Sequence, residues 1–163
     1  MKKIKHIMLA VLLAVLLTGS SVYVDTATAQ PVKAPQNTST QVQYKKAAPL
    51  SIVNNPKAYL NCNVIMQAKF DKFSTLGLDY KPAFKSSEDY ISFLIKRDDT
   101  SYNIPLSEMK LFLKRDKAEK FIDLKTGDEI EIQGKMFSDA LGDAWIEVND
   151  LKILQKAPEQ DKK

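Results

Sequence analysis

The chain has 163 residues, 44% of them apolar and 27% charged, with a formal net charge of +4. That is material for one domain with one modest core. A single cysteine excludes an intramolecular disulfide, a cysteine-ligated zinc site and an iron–sulfur centre.

Residues 1–29 carry the pattern of a secretory signal peptide. Lys2, Lys3 and Lys5 form a basic start, residues 7–17 are an unbroken apolar run of eleven, and Ala27-Thr28-Ala29 is an A-x-A cleavage pattern. The run is too short for a membrane span, which takes ~20 apolar residues. Leu17-Thr18-Gly19 resembles the start of a lipobox, but Ser20 stands where the acylated cysteine would be. The expectation is an exported protein, periplasmic or secreted, cleaved after Ala29 and left without a stable membrane anchor. Cleavage removes three lysines, one aspartate and the only histidine, His6, and lowers the formal charge to about +2. The basic pI of the whole chain is therefore weak support for an anionic partner.

Residues 30–51 are rich in Gln, Thr, Ser, Pro and Ala and show no apolar periodicity. Such a stretch cannot bury enough surface to offset its ordering entropy and reads as a disordered linker. Tyr44-Lys45-Lys46 within it reads as a solvated cationic spot. Residues 155–163 read as a second disordered tail, which leaves 52–154 as the domain.

The domain opens on a turn at Asn54-Asn55-Pro56. Leu60, Cys62, Val64, Met66, Ala68 and Phe70 then share one face of a long first strand. Residues 72–89 form a loop-rich connection whose Phe73, Leu76, Leu78, Tyr80 and Phe84 suggest a loop folded back on the domain. Residues 90–97 are a second strand, with Ile91, Phe93 and Ile95 on one face, and 98–101 a hairpin turn. A short third strand is expected over 102–106, with Pro105 near its end. Residues 107–115 fit either a strand, through Met109, Leu111 and Leu113, or a helix face, through Met109, Phe112 and Leu113. Asp116 with Glu119 is a capping-box variant, and Ala118, Phe121 and Ile122 form an apolar stripe, so a short helix is placed at 116–124.

The stretch 124–154 carries the clearest signal. Gly127-Asp128 makes a tight turn, and Ile130 and Ile132 then alternate with Glu129, Glu131 and Gln133. Gly134 keeps the inward parity, as at a bulge, a barrel bend or a close backbone approach. Residues 138–143 are a loop, after which Ile146 and Val148 share a face. Beyond Asn149-Asp150, Leu151 and Ile153 fall on the opposite parity, which is what a β-bulge does.

The order strand, long loop, strand, strand, helix, strand, strand predicts an all-β domain with one short helix, a five-stranded Greek-key barrel of the OB-fold type. Leu124-x-x-Gly127-Asp128-x-Ile130-x-Ile132-x-Gly134, followed by Trp145-Ile146-Glu147-Val148, resembles the fourth and fifth strands of tRNA-anticodon-type OB-folds. With its leader the chain also resembles small exported bacterial OB-fold proteins. The resemblance implies a barrel and carries no catalytic motif.

Once cleaved, the chain has no imidazole. Ser-His-Asp and Cys-His catalysis, histidine-ligated zinc and histidine pH switching are excluded. Cys62, on the apolar parity, reads as a buried thiol, with an intermolecular disulfide or a reactive thiol as the alternative. Asp98-Asp99 and Glu129/Glu131 suit turn and solvent-face positions, residues 139–143 lack the alternating oxygens of a calcium loop, and no glycine-rich phosphate cradle is present. No metal, no cofactor and no enzymatic activity are expected; a carboxylate-only hydrolase is the residual enzymatic alternative.

The reading is a non-catalytic exported binding module for a cell-envelope protein or glycan, using residues 72–89, 98–101 and 138–143. The alternative is single-stranded nucleic-acid binding by the barrel face, with bases stacked on aromatics in a cationic groove. Candidate ligand residues are Phe73, Tyr80, Lys81, Phe84, Lys85, Lys96, Arg97 and Trp145, with Tyr90, Tyr102, Lys69 and Lys72 as further members of the nucleic-acid set. Interspersed Asp71, Asp79, Glu88 and Asp89 weigh against a basic stripe.

Overall fold

The computed structural model describes residues 42–158. The signal peptide, the first part of the expected linker and the last residues of the expected tail lie outside them. Six strands are present among the described residues: β1 (Lys45–Lys46), β2 (Asn63–Ser74), β3 (Tyr90–Ile95), β4 (Met109–Lys114), β5 (Glu129–Ser138) and β6 (Ala144–Gln155). They form one sheet in the order β1-β2-β3-β4-β6-β5, and β2 also pairs with β5. The last pairing closes β2 to β6 into a five-stranded barrel. β4 and β6 run parallel, while the other barrel pairs are antiparallel. This is the strand order of an OB-fold.

Long β2 serves two neighbours. Its first half pairs with β5 from Asn63 to Lys69, and its second half with β3 from Phe70 to Ser74, with a bulge between Phe70 and Lys72. The core fills the barrel with inward residues of alternating parity: Val64, Met66 and Phe70 of β2, Phe93 and Ile95 of β3, Met109, Leu111 and Leu113 of β4, Ile130, Ile132 and Met136 of β5, and Ile146 and Val148 of β6. β5 and β6 slip register at Asn149, which has no partner between the pairs Gly134↔Val148 and Gln133↔Asp150. Leu151 is thereby turned back into the core. Gly134 sits at that slip because the chains touch: a Cβ there would lie 2.5 Å from the Glu147 carbonyl oxygen.

Several local expectations are corrected. The linker ends before residue 51, because Lys45–Lys46 pairs in parallel with Val64 and Ile65, and α1 (Pro49–Asn54) drives Ile52 fully into the core. Proline at the first helical turn and one buried isoleucine were too small a signal against a polar background. The tail likewise begins later, since β6 runs to Gln155 and Lys156 and Ala157 are bound to Asp128. The first strand starts at Asn63, after Asn61 takes a left-handed φ of 61°, so Leu60 is left partly exposed.

The third barrel strand is Met109–Lys114, not 102–106, where only Pro105 bridges Lys96. Phe112 points out of the barrel yet is fully buried, so β4 is apolar on both faces and its period of two is blurred. The helix between β4 and β5 is α2 (Arg115–Ala118), continued by a 3-10 turn at Glu119–Phe121. Its N-cap position is Lys114, with no side-chain cap, and Asp116 Oδ1 instead accepts the Lys117 N–H at 2.8 Å. The capping box does not form, and Ile122 of the expected stripe is 78% exposed.

Candidate functional site

The loop of residues 75–89 leaves β2 and folds over the outer faces of β4 and β6. Ala83, Phe112 and Trp145 form a second, smaller core there, with Leu78, Tyr80, Tyr90, Phe137 and Ala140 packed around it. Trp145 is the middle of a three-ring stack. Tyr80 lies on one neighbouring position at 5.2 Å between centroids and 21° between planes, Phe112 on another at 5.7 Å and 16°. The indole is 1% exposed, and its Nε1–H donates to the Ala140 carbonyl at 2.7 Å. Gly77 turns the chain above this stack at φ +83°, and a Cβ there would sit 3.1 Å from the indole and 3.2 Å from the Phe112 ring. Only glycine allows both the turn and the approach.

A polar latch holds the same loop down. The Lys85 ammonium pairs with Glu147 Oε2 on β6, and the Tyr90 hydroxyl donates to Glu147 Oε1 at 2.8 Å. Lys85 Nζ also lies 4.7 Å from the Phe137 ring centroid and 4.9 Å from that of Tyr90. Burial pushes the Tyr90 phenol up to about 12, reinforced by its bond to the Glu147 anion. Burial would raise the Glu147 carboxyl, but the bonds from Lys85 and Tyr90 outweigh it and hold it below the usual range. Inside the loop, the Ser87 N–H donates to Asp79 Oδ1 at 3.0 Å, and bonds from Ser87 lower the Asp79 carboxyl.

The 138–143 loop meets the 75–89 loop across a shallow depression of about 540 Å³ lined by Leu76, Leu78, Tyr80, Leu141 and the Lys110–Asp143 ion pair (2.8 Å). Of its lining residues Leu141 is 73% exposed and Leu76 39%; Phe84, on the same 75–89 loop, is 58% exposed. Leu141 holds a φ of 62°, left-handed backbone that a leucine rarely adopts.

The eight candidate residues therefore fall in four places. Tyr80, Lys85 and Trp145 come together with Phe112, Tyr90 and Glu147 in the closed stack and its latch. Trp145 is packed against the protein's own Tyr80 and Phe112 rings. Phe73 is half-buried against the barrel core, 5.2 Å from Phe70 and 6.5 Å from Phe93. Lys81 and Phe84 are exposed on the loop surface. Lys96 and Arg97 lie elsewhere, lining a groove of about 770 Å³ with Lys69, Tyr102 and the 98–101 turn. Arg97 is held there by Asp99 and Glu108, at 3.0 and 2.6 Å; the two carboxylates raise its pKa, the bond from Arg97 lowers Asp99, and a backbone N–H bond together with Arg97 lowers Glu108.

Sequence reasoning missed Phe112, Glu147 and Leu141. Phe112 had a signal, an aromatic ring on the wrong parity between two inward leucines. Glu147 had none, because a carboxylate on a solvent-facing parity is ordinary until a lysine from a distant loop meets it. Cys62, just ahead of β2, is half-buried and packs against the core.

No protein-family model matches the chain, and no curated protein matches it. Among solved structures it is similar to asparaginyl-tRNA synthetase from Pyrococcus horikoshii, with 16% identity over 69% of this chain and 24% of that one and a TM-score of 0.48. It is also similar to an OBody bound to hen egg-white lysozyme (15% identity, 64% and 88% of the two chains, TM-score 0.43). A third is Rim1, a mitochondrial single-stranded DNA binding protein of S. cerevisiae (8% identity, 60% and 97%, TM-score 0.41). The chain spans about a quarter of the synthetase's length. The barrel itself is established by its strand order and closure.

Proposed function

We propose that this barrel is a non-catalytic, exported binding module that grips a protein of the cell envelope with the tips of its 75–89 and 138–143 loops. The observation that carries the reading is the closed state of the aromatic face. Tyr80 and Phe112 flank Trp145, so the best stacking surface of the outer face is occupied by the protein itself. A nucleic acid that binds by base stacking needs such rings free. What the loops display instead is aliphatic surface at Leu76 and Leu141 around a shallow depression, and an exposed ring at Phe84 on the 75–89 loop. Exposed leucines suit a protein surface, where apolar contact drives association, better than a glycan, which needs convergent hydrogen bonds. Leu141 adds a second support, since left-handed strain on a residue with no packing role is the kind of cost found at recognition sites. Export rests on the leader pattern, and the absence of an imidazole in the cleaved chain supports a non-catalytic role.

The test is site-specific photo-crosslinking in the native compartment. A crosslinker at Leu141 should give a discrete protein adduct that Leu76→Ala and Phe84→Ala weaken. The same crosslinker at Ile122, 78% exposed and outside both loops, should give none. Equal labelling at both positions, or salt-sensitive binding of the cleaved protein to oligo-dT, would refute the reading.

A further inference from the structure

The groove at Lys96 and Arg97 contains an interrupted sheet edge. Along the first half of β2, even-numbered residues bond to β5: the Met136 N–H donates to the Cys62 carbonyl at 3.0 Å, and the Phe70 N–H donates to the Asp128 carbonyl at 2.8 Å. Odd-numbered residues therefore direct their backbone groups to the opposite side. There the Ile65 carbonyl accepts the Ala47 N–H at 3.1 Å, and the Lys69 carbonyl accepts the Lys96 N–H at 2.8 Å. Gln67 lies midway. β1 has ended at Lys46 and the chain has turned into α1 at Pro49, while β3 has ended at Ile95. Among the described residues neither the N–H nor the carbonyl of Gln67 has a backbone partner, and neither has the Lys69 N–H.

This gap opens into the groove of about 770 Å³, which Pro49, Gln67, Lys69, Lys96, Tyr102 and Asn103 help to line. The volume is that of a ligand site. Tyr102, on its wall, is 75% exposed. The charges are balanced: Arg97 is held by Asp99 and Glu108, and Lys69 and Lys96 share the lining with Asp98 and Glu129.

We propose that this edge takes an extended peptide segment of a partner protein by strand addition, separately from the loop tips. The peptide main chain bonds to Gln67 and the Lys69 N–H, in line with β1, and one of its side chains rests on the Tyr102 ring. Free, aligned N–H and C=O groups in a groove are what strand addition uses. The charge balance selects a near-neutral segment and disfavours a polyanion.

The first readout is amide exchange in the full cleaved protein by NMR. Gln67 and Lys69 should exchange fast, while Met66 and Ala68 are protected. The second uses phage-displayed random twelve-residue peptides selected on that protein. Enriched peptides should protect the Gln67 and Lys69 amides and bind almost equally at low and high salt. N-methylation at alternate peptide residues should weaken binding about tenfold, one or two lost hydrogen bonds, with the intervening residues insensitive. Gln67→Pro should abolish binding, and should fold because β2's bonds to β5 do not use the Gln67 N–H. If it does not fold, the N-methyl series still decides. The proposal is overturned by protected Gln67 in the free protein, by no enriched peptide, by binding without Gln67 protection, or by binding that falls steeply with salt.

Discussion

Removing the Asp128 carboxylate tests how the β5 turn is anchored. Asp128 is fully buried. Its Oδ2 accepts the Lys125 N–H at 3.0 Å and the Lys156 ammonium at 2.9 Å, and its Oδ1 accepts the Ala157 N–H at 2.8 Å. Three charge-assisted bonds are lost in Asp128→Ala, and the Lys125 and Ala157 donors lose their acceptor. Lost bonds of this kind cost about 1.5–3 kcal/mol each, but Ala157 and Lys156 can regain water by fraying, so the net loss is about 3 kcal/mol. For a domain of this size that is a fall in Tm of roughly 12 °C. Asp128→Asn keeps one acceptor oxygen and should lose about half as much.

The pH dependence fixes the sign. Burial would raise this carboxyl, but the bonds from Lys125, Ala157 and Lys156 outweigh it and hold it below the ordinary value. A depressed folded-state pKa stabilises the fold above the unfolded value, about 3.9, and that stabilisation is lost as pH falls through the folded value. Urea denaturation of wild type and Asp128→Ala should therefore differ constantly near neutrality and converge below about pH 4. Truncation after Gln155 should remove part of the effect in a double-mutant cycle. A loss under about 1 kcal/mol, unchanged by truncation and flat with pH, would refute the reasoning.

Three further outcomes are expected. Gly134→Ala places a methyl 2.5 Å from the Glu147 carbonyl, so β5 and β6 must part at their slip; a loss of about 3 kcal/mol or more is expected in urea denaturation, and a neutral result would contradict the close approach. Trp145 is the only tryptophan, so its emission reports the stack directly. It should be blue-shifted and resist iodide, and Tyr80→Ala should make it quenchable while costing about 1–2 kcal/mol; unchanged quenching would mean that Tyr80 does not cover it. Tyr90, pushed up to about 12, should resist phenolate formation in an absorbance titration. Because its folded pKa is raised, its contribution is complete below the unfolded value of about 10 and lost as pH rises through about 12. An ordinary Tyr90 titration would remove the latch to Glu147.

The barrel was legible where local pattern and tertiary environment agree. β2 and β5 each bury one face, and the inward residues of β3 and β6 keep the same period, so the alternation shows in Val64-Met66, Phe93-Ile95, Ile130-Ile132 and Ile146-Val148 without knowledge of what packs on them. The parity slip at Asn149 and the close approach at Gly134 were legible for the same reason, because a bulge moves whole sets of side chains across a strand. The leader-like pattern of residues 1–29 and the single histidine, His6, are likewise properties of the sequence alone.

What only the tertiary structure decided is set by contacts between distant segments. β4 was ambiguous because the 75–89 loop buries its outer face, erasing the contrast on which periodicity depends. The linker's last residues became β1 and α1 because β2 offered a free edge and the barrel a place for Ile52. The aromatic candidates changed meaning in the same way. Tyr80 and Trp145 lie 65 positions apart in the chain, and whether such rings face a ligand or each other depends on where a loop of few local constraints comes to rest. Backbone vacancy at Gln67 among the described residues depends on where β1 and β3 stop, a quantity that side-chain pattern does not encode.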